Sequence, residues 1–131
     1  MTRKLLRAKI HRATVTGADL DYEGSVTVDR DLMDLADLVD HEAVHVWNVT
    51  NGERFQTYVI PGERGSGVVC VNGAAAHKVS RGDLVILAAF SWMDEDEVRA
   101  WKPRVVFVDD RNRPVELRPE HGGQADLASA W

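Results

Sequence analysis

The sequence holds a single cysteine, four prolines, few aromatic residues and no long apolar run. A lone thiol excludes an internal disulfide, and no cluster of cysteine and histidine has the spacing of a zinc site, so no metal is expected. That thiol, Cys70, lies in the apolar run Val68-Val69-Cys70-Val71 and reads as a buried packing residue. No stretch is long and apolar enough to cross a bilayer as a helix. The N-terminal MTRKLLRAKIHRA is basic but lacks the apolar segment and small-residue cleavage site of a secretory signal. A cytoplasmic protein without a membrane partner is therefore expected. An excess of positive charge is missing too. Sixteen Lys and Arg stand against 21 Asp and Glu, a formal charge of -5, so no broad basic field exists to hold nucleic acid. A small acidic ligand stays open, because one or two local cations suffice for it.

What is present is a chain of 131 residues, 44% apolar, which suits one domain with a real core. Leu6, Ala8 and Ile10 alternate with Arg7, Lys9 and His11, the period of a half-buried strand with Lys9 and His11 on one face. Thr16 to Leu20 reads as a turn or a single helical turn. Val26-Thr27-Val28 favours a strand. Asp29 or Asp31 can start a short helix that turns Leu32, Leu35 and either Ala36 or Leu38 inward. Val44, Val46 and Asn48 share one face of the next strand, with His45 and Trp47 on the other. Asn51-Gly52 is a hairpin signal, since both residues tolerate positive φ.

A further strand runs from Arg54 to Ile60 and breaks at Pro61-Gly62. Val68 to Val71 forms a short strand ending at a second turn signal, Asn72-Gly73. Ala74 to His77 suits a helical turn. Leu84 to Ala88 is a fully buried strand, Asp94 to Ala100 a short charged helix and Arg104 to Val108 another strand. Beyond Pro114 the periodicity fades. Many short strands, glycine-containing turns and small helices point to a mainly β protein closed as a compact barrel.

The chemically informative stretch is Tyr22-Glu23-Gly24-Ser25. A Gly-Ser pair alone is a common loop. Its special use is self-cleavage: the Ser25 hydroxyl attacks the Gly24 carbonyl, which no side chain shields, and the peptide link becomes an ester. Elimination across the serine releases the Gly24 carboxylate and leaves a dehydroalanine. Hydrolysis of that residue leaves a pyruvoyl group at the new N-terminus. Such a ketone is an electron sink for loss of carbon dioxide from an amino acid, the task pyridoxal phosphate performs elsewhere. The substrate then needs a cation, and the reaction needs a proton donor. Arg54 can grip a carboxylate with two parallel hydrogen bonds, and Lys9 can add charge. Tyr58 is a candidate acid; it shares a strand face with Arg54, four residues away, whereas Thr57 lies on the other face. Asn72 and the small residues Gly73, Ala74 and Ala75 can line a tight pocket with backbone N–H groups.

These strings carry a resemblance. Lys9-Ile10-His11-Arg12, Ala18 through Ser25, Trp47 through Phe55, Thr57-Tyr58, Glu63 through Gly67, Val71 through His77 and Gly82-Asp83 occur in the order and spacing of the aspartate 1-decarboxylase family. Those are the pyruvoyl enzymes that make β-alanine from L-aspartate for pantothenate and coenzyme A synthesis. The resemblance spans residues 1–115 and implies a double-psi β-barrel as the single catalytic domain. It leaves 116–131 as a flexible C-terminal tail. It implies cleavage between Gly24 and Ser25 into a 24-residue chain and a 107-residue chain that begins with pyruvoyl.

Family members form homotetramers with active sites between subunits, and some need a helper protein for maturation. By resemblance, Lys9 and Arg54 bind the retained carboxylate, Tyr58 supplies the proton and Thr57 assists the acyl shift. Asn72, Gly73, Ala74 and Ala75 shape the pocket, with Thr57 also lining it, and His11, Tyr22 and Trp47 support it. Two other readings of the residues remain: a barrel that binds a small anion without cleaving, and a self-cleaving protein that ends in an ordinary N-terminal serine.

Overall fold

A computed structural model describes residues 1–119. The expectation of a mainly β protein holds. Nine strands run β1 (Arg3–Thr14), β2 (Gly17–Asp19), β3 (Ser25–Asp29), β4 (Ala43–Asn48), β5 (Arg54–Gly62), β6 (Val69–Asn72), β7 (Leu84–Met93), β8 (Arg104–Val108) and β9 (Pro114–Arg118). Two short helices, α1 (Arg30–Ala36) and α2 (Glu95–Ala100), and a 3-10 helix over Gly73–Lys78 complete the fold.

The strands lie in the order β2-β6-β3-β5-β4-β7-β1-β8-β9. Only Val15 and Thr16 separate β1 from β2, although these strands stand at the seventh and first places in that order. Two residues of chain are too short to cross a flat sheet, so the strands curl into a barrel. The seam is hydrogen-bonded: the Thr16 N–H donates to the Val69 carbonyl, and the Val15 N–H to that of Asp83, each at 2.8 Å. Inside lie Ile10, Val26, Val28, Val44, Val46, Val59, Val71, Val85 and Leu87, all at most 1% exposed. Alternation along each strand delivers them, with His45 and Trp47 turned outward between Val44, Val46 and the buried Asn48.

Helix α1 plugs the barrel with Leu32, Met33 and Ala36, and its N-cap is Asp29. The buried Asp29 carboxylate accepts from the N–H of Asp31 at 2.8 Å, of Gly65 at 3.1 Å and of Gly67 at 2.9 Å, tying the helix start to the loop before β6. Such a cap contributes about 1 kcal/mol. Helix α2 begins with a capping box between Asp94 and Glu97.

Three local expectations differ from the structure. Thr16 to Leu20 holds the strand β2, paired in parallel with β6 through Gly17↔Cys70 and Asp19↔Asn72; tertiary pairing overrides a poor β propensity. Pro61-Gly62 continues β5. The Val59 N–H points toward β4, and so would that of residue 61. There β4 has already ended opposite Tyr58, so the proline forfeits no bond. The expected turn at Asn72-Gly73 leads from β6 into the 3-10 helix. Residues 114–118, where periodicity fades, form β9 against β8. The remainder of the expected tail, from residue 120, lies outside the described residues.

Candidate active site

Two constellations carry chemistry. The first surrounds Ser25. The chain runs exposed from Leu20 to Gly24 and turns inward at Ser25, which is 1% exposed. Ser25 opens β3 opposite Asn72, the last residue of β6. The Ser25 hydroxyl donates to the Glu23 carbonyl at 2.9 Å and accepts from the Asn72 side-chain nitrogen at 3.0 Å. The same nitrogen donates its other hydrogen to the Thr27 hydroxyl at 3.0 Å. The Cys70 thiol donates to the Asn72 side-chain oxygen at 3.5 Å. Burial, and secondarily the negative charge of Asp19, raise the thiol pKa above its ordinary value of 9.0, so Cys70 is a neutral donor at neutral pH.

Gly73 follows at φ +74°. A β-carbon there would fall 2.6 Å from the Gly24 Cα, 2.8 Å from the Gly24 nitrogen and 3.2 Å from the Tyr22 carbonyl oxygen. The expected Gly24, Ser25, Asn72 and Gly73 are thus brought together, with the Tyr22 backbone at the edge and its ring exposed. Ala74 and Ala75 follow in the 3-10 helix. The arrangement holds a hydroxyl dry and oriented next to a peptide link crowded by bare backbone, which suits an internal acyl shift.

The second constellation is cationic. Arg54 and Trp47 are register partners, and the Arg54 guanidinium lies 4.7 Å from the centre of the Trp47 ring. The Lys9 ammonium lies 5.8 Å from the same ring. Two cations beside one indole are side chains of the kind that bind a carboxylate. Arg54 forms no ion pair among the described residues, so its fork remains available. The ring borders an open depression of about 530 Å³, lined by Lys4, His45, Trp47, Arg54, Gln56 and Phe90.

Tyr58 links the two constellations. It shares the face of Arg54 on β5, and its ring lies 5.9 Å from that of His41. Val26 and Val59 pair across β3 and β5, and Ser25 and Tyr58 stand one residue back from them. Arg54 is four residues farther, about 13 Å along the strand. Thr57 pairs with Val44 and shares the inward parity of Val59; no hydrogen bond joins it to Ser25. His11 packs edge-on against Phe107, with ring centres 5.4 Å apart, on the β8 side of β1. His11 and Lys9 share a strand face, His11 lying against Phe107 and Lys9 beside Trp47.

Sequence reasoning missed Thr27 and read Cys70 as a buried packing residue, whereas it is half-buried. Parity held the signal: Thr27 is two residues from Ser25, and Cys70 two from Asn72, so each pair shares a face. Among the described residues no three metal-binding side chains gather, and no helix is long and apolar enough to cross a membrane.

A small barrel with an internally held serine at a bare Gly-Ser link and, apart from it, two cations beside one indole is an arrangement suited to an enzyme acting on small acids. The sequence profile of the family described as Aspartate decarboxylase matches residues 1–115, and the chain belongs to that family. Aspartate 1-decarboxylase of Syntrophotalea carbinolica is 57% identical over 130 residues, 99% of each chain. That of Myxococcus xanthus is 64% identical over 115 residues, 88% of each chain. Aspartate 1-decarboxylase 2 of a Polaromonas species is 54% identical over 118 residues, 90% of this chain and 94% of the relative. Among solved structures, a computationally designed protein, msDPBB_sym2, superposes with a TM-score of 0.44 at 18% identity, covering 65% of this chain and 96% of the design.

Proposed function

We propose that this chain cleaves itself between Gly24 and Ser25 and then decarboxylates L-aspartate to β-alanine and carbon dioxide, with a pyruvoyl group made from Ser25. The observation that carries the reading is the Ser25 hydroxyl, buried between the Asn72 amide and the Glu23 carbonyl beside a link that Gly73 leaves uncovered.

In maturation, Ser25 Oγ bonds to the Gly24 carbonyl carbon as the C–N bond breaks and the hydroxyl proton passes to the freed amine. Loss of the Ser25 Cα proton then breaks the Cβ–Oγ bond and releases the Gly24 carboxylate. Water enters, ammonia leaves, and a ketone remains. That ketone supplies an electron sink for the departure of carbon dioxide. The other residues orient and protonate. Arg54 grips the retained carboxylate through two N–H groups, Lys9 adds charge, and Trp47 stacks under both. Tyr58 returns a proton to the carbon that lost carbon dioxide. Asn72, Ala74 and Ala75 line the small end of the pocket.

The separation of about 13 Å along β5 between Arg54 and the level of Ser25 exceeds the length of an aspartate. That distance supports a site shared between subunits, with the cations of one protomer facing the Ser25 end of its neighbour. Trp92, 68% exposed, and Phe90 beside the depression supply apolar surface for such an assembly. A homotetramer in the cytoplasm, making β-alanine for pantothenate, follows from this reading.

The test is the intact mass of the purified chain under denaturing conditions, with β-alanine release assayed on the same sample. Two chains of 24 and 107 residues, the larger beginning with pyruvoyl, are expected, and Ser25→Ala should give neither cleavage nor activity. A chain that stays whole and inert toward aspartate would instead be a barrel that only binds. An N-terminal serine on the larger fragment would remove the electron sink.

A further inference from the structure

We infer that Cys70 is a positioning residue for self-cleavage: its thiol locks the Asn72 amide in the orientation that offers an N–H to Ser25. The inference rests on the proposed cleavage at Gly24-Ser25 and assigns a role to a side chain outside the reacting atoms.

The hydrogen bonds run in one direction. Ser25 has one hydroxyl proton, and it goes to the Glu23 carbonyl at 2.9 Å. Whatever faces the Ser25 oxygen from β6 must therefore donate, and the Asn72 nitrogen does so at 3.0 Å. Its second hydrogen goes to Thr27. The Asn72 oxygen is left facing Cys70, its one hydrogen-bond donor among the described residues. An amide has two nearly isosteric orientations, and only donors and acceptors around it distinguish them. Turned over, Asn72 would present its oxygen to Ser25. The serine proton would then swing from Glu23 to Asn72, and the oxygen that must attack Gly24 would lose its donated hydrogen bond. A thiol at position 70 opposes that flip, because the flip would trade its S–H bond to the amide oxygen for an N–H aimed at a weakly accepting sulfur. An ordinary thiol is protonated and hence a donor at neutral pH, and partial burial raises the Cys70 pKa further. Cys70 also packs near Gly17, where a β-carbon would sit 3.5 Å from its sulfur, so a packing role exists alongside and must be separated from this one.

The separation uses Cys70→Ser, which keeps a donor, against Cys70→Ala and Cys70→Val, which do not. Cleavage of pulse-labelled full-length chain is followed through the chase by intact mass, with thermal stability measured on each variant. C70A and C70V should cleave about fivefold more slowly than wild type, the effect of one hydrogen bond, with C70S close to wild type. In an Asn72→Ala background, C70A should add no further slowing, because no amide remains to orient. Equal rates for C70A, C70S and wild type would overturn the inference. So would equal slowing of all three variants in step with lost stability, or additive effects of C70A and N72A. If wild type cleaves in those cases, the proposed cleavage stands and only the role of Cys70 falls. A wild-type chain that never cleaves overturns both.

Discussion

Ser25 and Asn72 face each other across the antiparallel pair of β3 and β6, with the asparagine nitrogen 3.0 Å from the serine oxygen. Asn72 is 3% exposed, so its polar atoms depend on protein partners. Its two N–H groups serve Ser25 and Thr27, and its oxygen serves Cys70. One side chain thus holds three strand residues in a fixed relation at the start of β3. Asn72→Ala removes all three bonds. Precursor cleavage should slow by about tenfold or more, and stability should fall by about 1–3 kcal/mol. A chase of labelled precursor reads the first and thermal unfolding the second. Unslowed cleavage with the stability loss present would make Asn72 a structural residue only.

The bonding pattern explains what was legible in the sequence. The alternation around Val44 and Val46 reveals which side of β4 is buried, because strand period is a local property. Asp29 shows itself as a helix cap for the same reason. Gly24-Ser25, Arg54 and Tyr58 are legible through the order of their motifs. Thr27 and Cys70 are not, because their importance depends on β6 lying antiparallel to β3 with Ser25 opposite Asn72. Nothing local to either strand specifies that register. β2 is hidden for a related reason: Gly17, Ala18 and Asp19 are poor strand formers, and their partner β6 lies some fifty residues on. The distance between the cations and Ser25 likewise emerges only from the β3–β5 pairing.

Arg54 and Trp47 provide a test of the carboxylate seat that leaves maturation alone. The guanidinium lies 4.7 Å from the centre of the indole ring. Arg54→Lys keeps the charge but loses the fork and most of the stacking. The variant should cleave normally, since the hydrogen bonds of the Ser25 hydroxyl go to Glu23 and Asn72. Its kcat/KM for aspartate should fall by about tenfold or more, chiefly through KM. Steady-state kinetics on fully processed protein measures this, and an unchanged KM would move the seat elsewhere.

Tyr58 stands one residue back from the Val26↔Val59 pair, beside Ser25 on the neighbouring strand. Its hydroxyl is the proton source in the proposed reaction, and Tyr58→Phe removes only that oxygen. Processing should proceed, because the bonds of Ser25 go to Glu23 and Asn72. Turnover should drop by about 100-fold or more, the scale of a lost general acid. Aspartate affinity should change little, since Arg54 and Lys9 hold the carboxylate. Near-normal kcat in processed Y58F would transfer the proton donation to another group.

Gly73 and Gly52 separate backbone strain from steric blockade. Both have positive φ, +74° at Gly73 and +81° at Gly52. An alanine at either position costs about 1–2 kcal/mol for its left-handed conformation. At Gly52, in the turn between β4 and β5, a β-carbon meets nothing within 4 Å. Gly52→Ala should therefore lose some stability and still cleave. At Gly73 the β-carbon falls 2.6 Å from the Gly24 Cα, against backbone that cannot rotate away as a side chain would. Gly24 must shift, and its carbonyl leaves the reach of the Ser25 hydroxyl. Gly73→Ala should accumulate as an uncleaved precursor at a stability where Gly52→Ala is fully processed. Intact mass and thermal unfolding on the two variants make the comparison. Cleavage of G73A at the rate of G52A would mean that the Gly24 link tolerates displacement, and that bare backbone at Gly73 is not what exposes it.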